Sequence, residues 1–186
     1  MRYLVGIFAT IGLVILILVL LLRGGGSGSP APKALNLIDY AKNDSAAHFV
    51  LDGPIVADQK HNQVKIDVDA NEVTFSLMSG YQGEVVKQQT YPNNVDSYSN
   101  FLLALQHQSF TEGNNDSKMK DERGYCPLGQ RRIYSFTNGS DQLMRYWSTG
   151  CNVKTFRGNV SSVYTLFTSQ VPDYGNLVRG ANLNLL

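Results

Sequence analysis

Residues 3–22 form an uninterrupted apolar segment in which no residue carries a charge. In a helix that rises ~1.5 Å per residue, a segment of this length spans the ~30 Å hydrocarbon core of a bilayer. The apolar core of a cleaved secretory signal is shorter, about 7–15 residues, and a small-residue cleavage site follows it. Here Arg23 follows directly. We therefore interpret residues 1–23 as a retained transmembrane helix, a signal-anchor that contacts the lipid bilayer through residues 3–22.

A linker and one domain follow the predicted anchor. Residues 24–33, GGGSGSPAPK, are rich in glycine, serine and proline, so they predict a flexible tether rather than a packed segment. Residues 34–186 are enough for one domain that buries about two-thirds of its unfolded surface. Because paired cysteines suit an oxidising compartment, we expect a single-pass protein with a cytoplasmic N-terminus and its domain on the extracytoplasmic side.

Alternation of apolar and polar residues predicts antiparallel strands in the domain. In VKIDVDA, at 64–70, every second residue is apolar, and EVTFSLM, at 72–78, repeats the pattern after a short turn. Further strands are predicted at 48–53, before Pro92, and in a second hairpin at 131–147. A short helix is expected after the linker, one after Asn93 or Asn94, and one after Asn159. This order predicts an α+β fold, an antiparallel sheet of about five to six strands with two or three helices packed on it.

Two cysteines bracket the second hairpin, CPLGQRRIYSFTNGSDQLMRYWSTGC. If its strands pair across Asn138 and Gly139, residues that face each other have numbers that sum to about 277–279, and Cys126 and Cys151 fit that register. Hairpin pairing alone then brings their Cα atoms within reach of a bridge. We predict a disulfide, which would add roughly 3 kcal/mol in the loop-entropy model. The alternatives are two free buried cysteines, or a catalytic or metal-binding thiol.

The same hairpin predicts a candidate binding face. A four-residue loop from Asn138 to Asp141 sets Arg132 against Trp147 and Tyr134 against Arg145, whereas a two-residue turn would set two arginines against each other. Cations would then alternate with aromatic rings on one sheet face. Such a face can bind a glycan, an anionic polymer or a single strand of nucleic acid by stacking and charge. The alternative is a face that satisfies itself and has no ligand.

Motifs that carry chemistry are missing from the sequence. It has no G-x-S-x-G, H-E-x-x-H, P-loop or dinucleotide fingerprint, so we expect no catalytic residue, no cofactor and no metal. DVDANE, at 67–72, begins like a calcium loop but places Glu72 where glycine is required, and therefore predicts a hairpin turn. Residues 111–124 are polar with mixed charge and predict a mobile loop.

Six segments of the chain carry a resemblance to a known family: MRYLVGIF, LLLRGGG, LDGPIVADQKH, DERGYCPLGQRRIY, RYWSTGC and QVPDY. With them the chain resembles a family of uncharacterised single-pass membrane-anchored surface proteins of Saccharibacteria-type (candidate phyla radiation) bacteria. CPLG followed by YWST and cysteine is the most specific part. The resemblance implies a small surface-exposed domain and supplies no activity, ligand or functional residue.

Charge distribution and compartment together predict a binding role. Residues 34–122 carry 6 Lys/Arg against 13 Asp/Glu, whereas residues 123–157 carry 6 against a single Asp. We expect a binding or interaction module at the cell envelope, with an envelope protein, glycan or anionic polymer as partner rather than nucleic acid. An envelope hydrolase is the alternative, for which the clustered carboxylates of Asp67, Asp69 and Glu72 are the candidates. A small subunit of a membrane assembly is the third possibility.

Overall fold

The computed structural model describes residue 13 and residues 35–183. The predicted anchor, apart from residue 13, and the predicted linker lie outside the described residues. Among the residues described, no helix has the length and apolar character needed to cross a membrane.

Six antiparallel strands form a single sheet, and this confirms the predicted α+β class. The strand order across the sheet is β4-β3-β2-β1-β5-β6, so β1 lies between the two hairpins, paired with β2 on one side and with β5 on the other. The strands are β1 (Ser45–Asp52), β2 (Asn62–Asp69), β3 (Glu72–Ser79), β4 (Glu84–Pro92), β5 (Arg131–Asn138) and β6 (Asp141–Thr149).

One face of the sheet, here the inner face, carries the hydrophobic core. The predicted alternation in the first hairpin is confirmed, because every second residue of β2 and β3 is buried. Ala47, Phe49 and Leu51 of β1 point to the same side, where Phe49 is fully buried. The buried residues of the first hairpin on this face are Val64, Ile66, Val68, Val73, Phe75 and Leu77.

Three helices cover the inner face: α1 (Val95–His107), α2 (Val160–Ser169) and α3 (Tyr174–Leu177). The predicted caps are confirmed, since the side chains of Asn94 and Asn159 accept hydrogen bonds from the backbone N–H three residues on. Stacked rings of Phe49 and Phe167 join β1 to α2. The opposite, outer face is consequently free to carry polar residues.

The helix predicted after the linker is a single 3-10 turn, Leu37–Tyr40. Leu37 is fully buried, and its backbone N–H donates to the side chain of Gln106 on α1. This segment is too short to add a fourth α-helix, and it closes one end of the inner core.

The second hairpin departs from its predicted register. Asn138 pairs with Asp141, so the turn has two residues, Gly139 and Ser140, and the predicted four-residue loop is wrong. Next to the turn the register is the predicted one, but Leu143 is left without a partner, and beyond it the pairing shifts by one residue. Such an extra residue is a β-bulge. Arg132 therefore faces Ser148, and Tyr134 faces Tyr146, so the predicted pairings with Trp147 and Arg145 are wrong.

Candidate functional site

A disulfide joins Cys126 to Cys151, as predicted, with their Cα atoms 5.6 Å apart. Cys126 precedes β5 by several residues, so the bridge does not continue the strand ladder. It ties the segment before β5 to the turn after β6. The loop leading into β5 is thereby attached at a second point to the edge of the sheet.

That loop comprises residues 111–130, and its segment 119–122 lies against the outer face at β6. Both carboxylate oxygens of Glu122 accept hydrogen bonds from Nη2 of Arg145, at 2.9 and 2.8 Å. Nε1 of Trp147 donates to the carbonyl of Met119 at 2.8 Å. Residues 111–124, predicted to be a mobile loop, therefore make specific contacts with side chains of β6.

A cleft of about 530 Å³ opens on the outer face between this loop and two other connections. The ends of β1 and β5 form its floor, while the β1–β2 and β3–β4 connections form the opposite wall. Charged and polar side chains dominate the lining: Asp52, His61, Gln63, Lys120, Asp121, Glu122, Arg123, Arg131 and Arg145. Ile55, Ile133 and Tyr81 supply its apolar part.

A buried ionic network lies at the floor of the cleft. Oδ2 of Asp52 accepts from Nε of Arg131 at 2.8 Å and lies 2.6 Å from its Nη2, while Oδ1 lies 3.0 Å from Nε2 of His61. The three side chains are 10%, 1% and 4% exposed, in the order Asp52, Arg131, His61. Because paired charges offset the cost of removing each from water, this arrangement permits deep burial of a guanidinium group.

The guanidinium of Arg131 is incompletely bonded by its surroundings. Nε and Nη2 donate to Asp52 and to the carbonyl of Gly53, but Nη1 has no hydrogen-bond partner among the described residues. A buried donor without an acceptor costs about 1–3 kcal/mol, and more when the group is charged. Arg131 therefore carries an unsatisfied donor beneath the floor of the cleft, on an atom that solvent does not reach.

Both ring nitrogens of His61 are occupied. Nδ1 lies 3.2 Å from the carbonyl of Pro54, and Nε2 faces Asp52. Each ring nitrogen therefore has a polar partner within the fold. The ring also stacks on Tyr81, with centroids 4.2 Å apart. His61 is thus a structural element of the cleft wall and has no nitrogen left to act as a general base.

A second polar cluster lies elsewhere on the outer face and includes one of the predicted hydrolase carboxylates. Asp67 pairs with Nδ1 of His48 and, at 2.9 Å, with Nζ of Lys65. Burial would raise the pKa of Asp67, but the hydrogen bonds from His48 and Lys65 outweigh it and hold the pKa below its ordinary value. This carboxylate is therefore ionised at neutral pH and is held by the side chains of His48 and Lys65.

The other two predicted carboxylates serve the turn between β2 and β3. Oδ1 of Asp69 accepts from the backbone N–H groups of Asn71 and Glu72, at 2.6 and 2.9 Å. Glu72 accepts from the hydroxyl of Thr74. Neither residue lines the cleft, and their hydrogen bonds are those of a hairpin turn.

The four residues of the predicted binding face lie on two different faces. Arg132 and Tyr134 point to the inner face, where Arg132 lies over the ring of Tyr164, 5.8 Å from its centroid. Arg145 and Trp147 are on the outer face and line a second, smaller hollow. Neither ring can stack on a ligand, because Tyr134 is 0% and Trp147 is 1% exposed. Only Arg145 lines the cleft.

Burial also determines the chemistry of Tyr134. Its hydroxyl lies 3.1 Å from that of Ser148. Burial raises the pKa of Tyr134 to about 12, and the hydrogen bond to Ser148, which acts in the opposite direction, offsets only part of this effect. The phenol stays neutral at physiological pH and contributes to the core.

Sequence reasoning missed the floor and most of the wall of the cleft. Asp52 and His61 lie near the two ends of LDGPIVADQKH, a segment noted above only for its family resemblance. A carboxylate at the end of an otherwise apolar strand was a usable signal, since an unpaired aspartate is rarely buried. Glu122 has no such signal, because it lies in a run of polar residues.

The chain was also compared with known proteins. No protein-family model matches it, and no curated protein matches it significantly. The resemblance described above therefore stays a prediction, and the functional interpretation depends on the geometry of the cleft.

Proposed function

We propose that this chain is a membrane-anchored binding module whose domain works on the extracytoplasmic side of the cell envelope, and that its partner binds in the cleft of the outer face. The observation that supports this proposal is the incomplete bonding of Arg131. This buried cation lies at the floor of the cleft, and its Nη1 has no partner in the described part of the chain. A concave site with a few convergent polar groups is the usual form of a binding site.

Two features of the chain support the proposed compartment. The uncharged apolar segment at residues 3–22 supports a membrane anchor. The bridge between Cys126 and Cys151 supports an oxidising location for the domain, because disulfides persist in such compartments. Protease added to intact cells is expected to digest the domain, and survival of the domain would contradict this location.

Binding is favoured over hydrolysis by the state of the titratable groups. The ring nitrogens of His48 and His61 all have polar partners, and the carboxylates of Asp52 and Glu122 are each held by an arginine. General acid–base catalysis needs a group free to exchange a proton with the substrate. These groups instead form a fixed charged surface, which suits recognition.

Photo-crosslinking of the full chain in the cells that produce it tests the proposal. A benzoylphenylalanine at position 55 lies at the cleft, since Ile55 lines it and is 40% exposed. Ile38 is the matched control, because it is 38% exposed and belongs to the 3-10 turn that packs with α1. We expect adducts of higher mass at position 55 and none at position 38. The same adducts at both positions, or none at either, would contradict a partner in the cleft.

A further inference from the structure

Tyr81 presents a fixed aromatic ring at the wall of the cleft. It occupies the second position of the turn at residues 80–83, which the backbone N–H of Gly83 closes by donating to the carbonyl of Gly80 at 3.2 Å. Its own backbone N–H donates to Oδ1 of Asp58 at 2.7 Å. Its hydroxyl donates to the carbonyl of Val56 at 2.8 Å and lies 3.0 Å from the backbone nitrogen of the same residue. The ring is therefore held in one orientation before any ligand binds.

The two faces of this ring have different surroundings. One face stacks on the imidazole of His61, with centroids 4.2 Å apart and an angle of 15° between the planes. His61 is 3% exposed, so it supports the ring from within the fold. Tyr81 is nevertheless 51% exposed, and because one face is covered, this exposure belongs to the other face and the ring edge. A rigid, exposed tyrosine ring can bind a ligand at a low cost in conformational entropy.

The charges that line the cleft compensate one another. Of its four lysine and arginine side chains, three lie within hydrogen-bonding distance of a carboxylate that also lines the cleft. These pairs are Arg123 with Asp121, Arg131 with Asp52, and Arg145 with Glu122. Polyanions bind chiefly through cations that are free to neutralise them. The lining therefore suits a neutral polar ligand better than a polyanion.

The pair at the rim offers both donors and acceptors to such a ligand. Nε and Nη2 of Arg123 donate to the carboxylate of Asp121, at 3.1 and 3.2 Å. The two side chains are 76% and 60% exposed, so the other N–H groups of Arg123 and the carboxylate oxygens are accessible. A sugar hydroxyl both donates and accepts, and it can match either kind of group. The cleft volume of about 530 Å³ lies within the usual range for a small-ligand site.

From this arrangement we propose that the cleft binds a neutral glycan, one sugar ring of which stacks on Tyr81. The C–H groups of the sugar pack on the aromatic face, and its hydroxyl groups form hydrogen bonds with Asp121 and Arg123. Nucleic-acid bases also stack on aromatic rings, but their phosphates require the free cations that this lining lacks. This inference rests on the proposed function and adds the chemical class of the ligand to it.

Calorimetric titration of the full chain, in nanodiscs of zwitterionic lipid, tests the inference with neutral and anionic probes. The neutral probes are cellotetraose and chitotetraose, which are tetramers of glucose and of N-acetylglucosamine. The anionic probes are tetragalacturonate, an acidic glycan, and a thymidine tetranucleotide. We expect at least one neutral probe to bind more tightly than both anionic probes, because the cations of the lining already have carboxylate partners.

Substitution of Tyr81 tests the stacking contact. Tyr81→Leu and Tyr81→Phe both lose the hydrogen bonds to Val56, but only Tyr81→Phe keeps an aromatic face. We expect Tyr81→Leu to bind the better neutral probe about fivefold more weakly than Tyr81→Phe does, since a contact with an aromatic face contributes more than its buried area alone. Tyr81→Phe is thus the matched control for the loss of the hydroxyl.

Substitution at the rim locates the site independently of Tyr81. Arg123→Gln is expected to weaken binding of the same probe about threefold, as suits one exposed charged group. Because Arg123 is 76% exposed, its replacement should leave the fold intact. Lys118→Gln is the matched control, since it also removes one positive charge from the same loop. Lys118 is exposed and does not line the cleft, so the affinity should stay unchanged.

Each of four outcomes would overturn the inference. Neither neutral probe binds, or an anionic probe binds more tightly than both of them. Tyr81→Leu and Tyr81→Phe bind the neutral probe equally well, or Arg123→Gln and Lys118→Gln weaken its binding equally. None of these results touches the crosslinking at position 55, and adducts there would leave the proposed function in place with a different ligand class. The absence of those adducts contradicts the proposed function by itself.

Discussion

Glu122 and Arg145 hold each other across the outer face of the sheet, with both carboxylate oxygens of Glu122 within 2.9 Å of one guanidinium nitrogen. The Glu122 side chain is 10% exposed and that of Arg145 is 33% exposed. This pair joins the long loop before β5 to β6, and both residues line the cleft. The shape of the cleft therefore depends on an ion pair between residues that are far apart in sequence.

Glu122→Gln should loosen the loop. The substitution leaves the half-buried Arg145 with a neutral partner. We therefore expect the free energy of unfolding to fall by about 1–3 kcal/mol. The indole of Trp147, the single tryptophan, is bonded to the same loop at Met119, so its fluorescence should shift to longer wavelength.

Asp121→Asn is the control for this substitution. Asp121 and Arg123 are 60% and 76% exposed, and exposed ion pairs contribute little to stability. An equal effect of Asp121→Asn and Glu122→Gln on the Trp147 emission would show that the pair does not fasten the loop.

Removal of the disulfide should destabilise the domain. We expect Cys126→Ser with Cys151→Ser to lower the free energy of unfolding by about 2–4 kcal/mol, measured by urea denaturation of the full chain in detergent. Reduced wild-type protein should unfold at the same urea concentration as the double variant. The bridge would be disproved as a covalent constraint if the denatured, non-reduced wild type exposed two reactive thiols.

Gly113→Ala should disrupt the contact between the loop and β6. A Cβ at this position would lie 2.2 Å from a ring atom of Tyr146, which is buried, so either the ring or the loop must move. Overpacking of this kind costs about 1–3 kcal/mol. Gly124→Ala is the control, since a Cβ there meets no atom within 4 Å. Thermal unfolding of the two variants should differ, and matching midpoints would contradict the close approach.

Acid should weaken the fold through Asp67. Its pKa is lower in the folded chain than the ordinary 3.8, so its contribution to stability is complete above that pH and is lost as the pH falls through the folded value. Urea denaturation between about pH 5 and pH 3 should show a smaller loss of stability in Asp67→Asn than in wild type.

The control for the acid experiment is Glu84→Gln. Glu84 is exposed at the start of β4 and has no ion pair within residues 35–183. This variant should keep the wild-type dependence on pH. A dependence in Asp67→Asn identical to that of wild type would show that Asp67 does not carry the effect.

Much of the fold could be predicted because it depends on local patterns. Alternation places Val64 and Phe75 on one face wherever the strand lies, and Asn94 and Asn159 cap helices through hydrogen bonds to residues three positions on. The disulfide was also predicted, although its two cysteines lie outside the strand ladder from which the pairing was argued. For these features the sequence supplies nearly all of the physical constraint.

The register of the second hairpin was decided by one residue. Leu143 bulges out of β6, and because side chains alternate with a period of two, residues beyond it pair differently from the prediction. Arg145 and Trp147 consequently lie on the outer face, while Arg132 and Tyr134 lie on the inner face. No composition signal marks Leu143 as the extra residue.

By itself, the sequence determined which residues alternate, where helices begin and which cysteines can meet, since each depends on neighbours along the chain. Only the tertiary structure decided that Asp52, His61, Glu122 and Arg131 form one cleft. Their approach requires β5 to pair with β1 and the loop before β5 to fold back on β6. The free energy of those contacts comes from packing and ion pairs between distant segments, which no local pattern encodes.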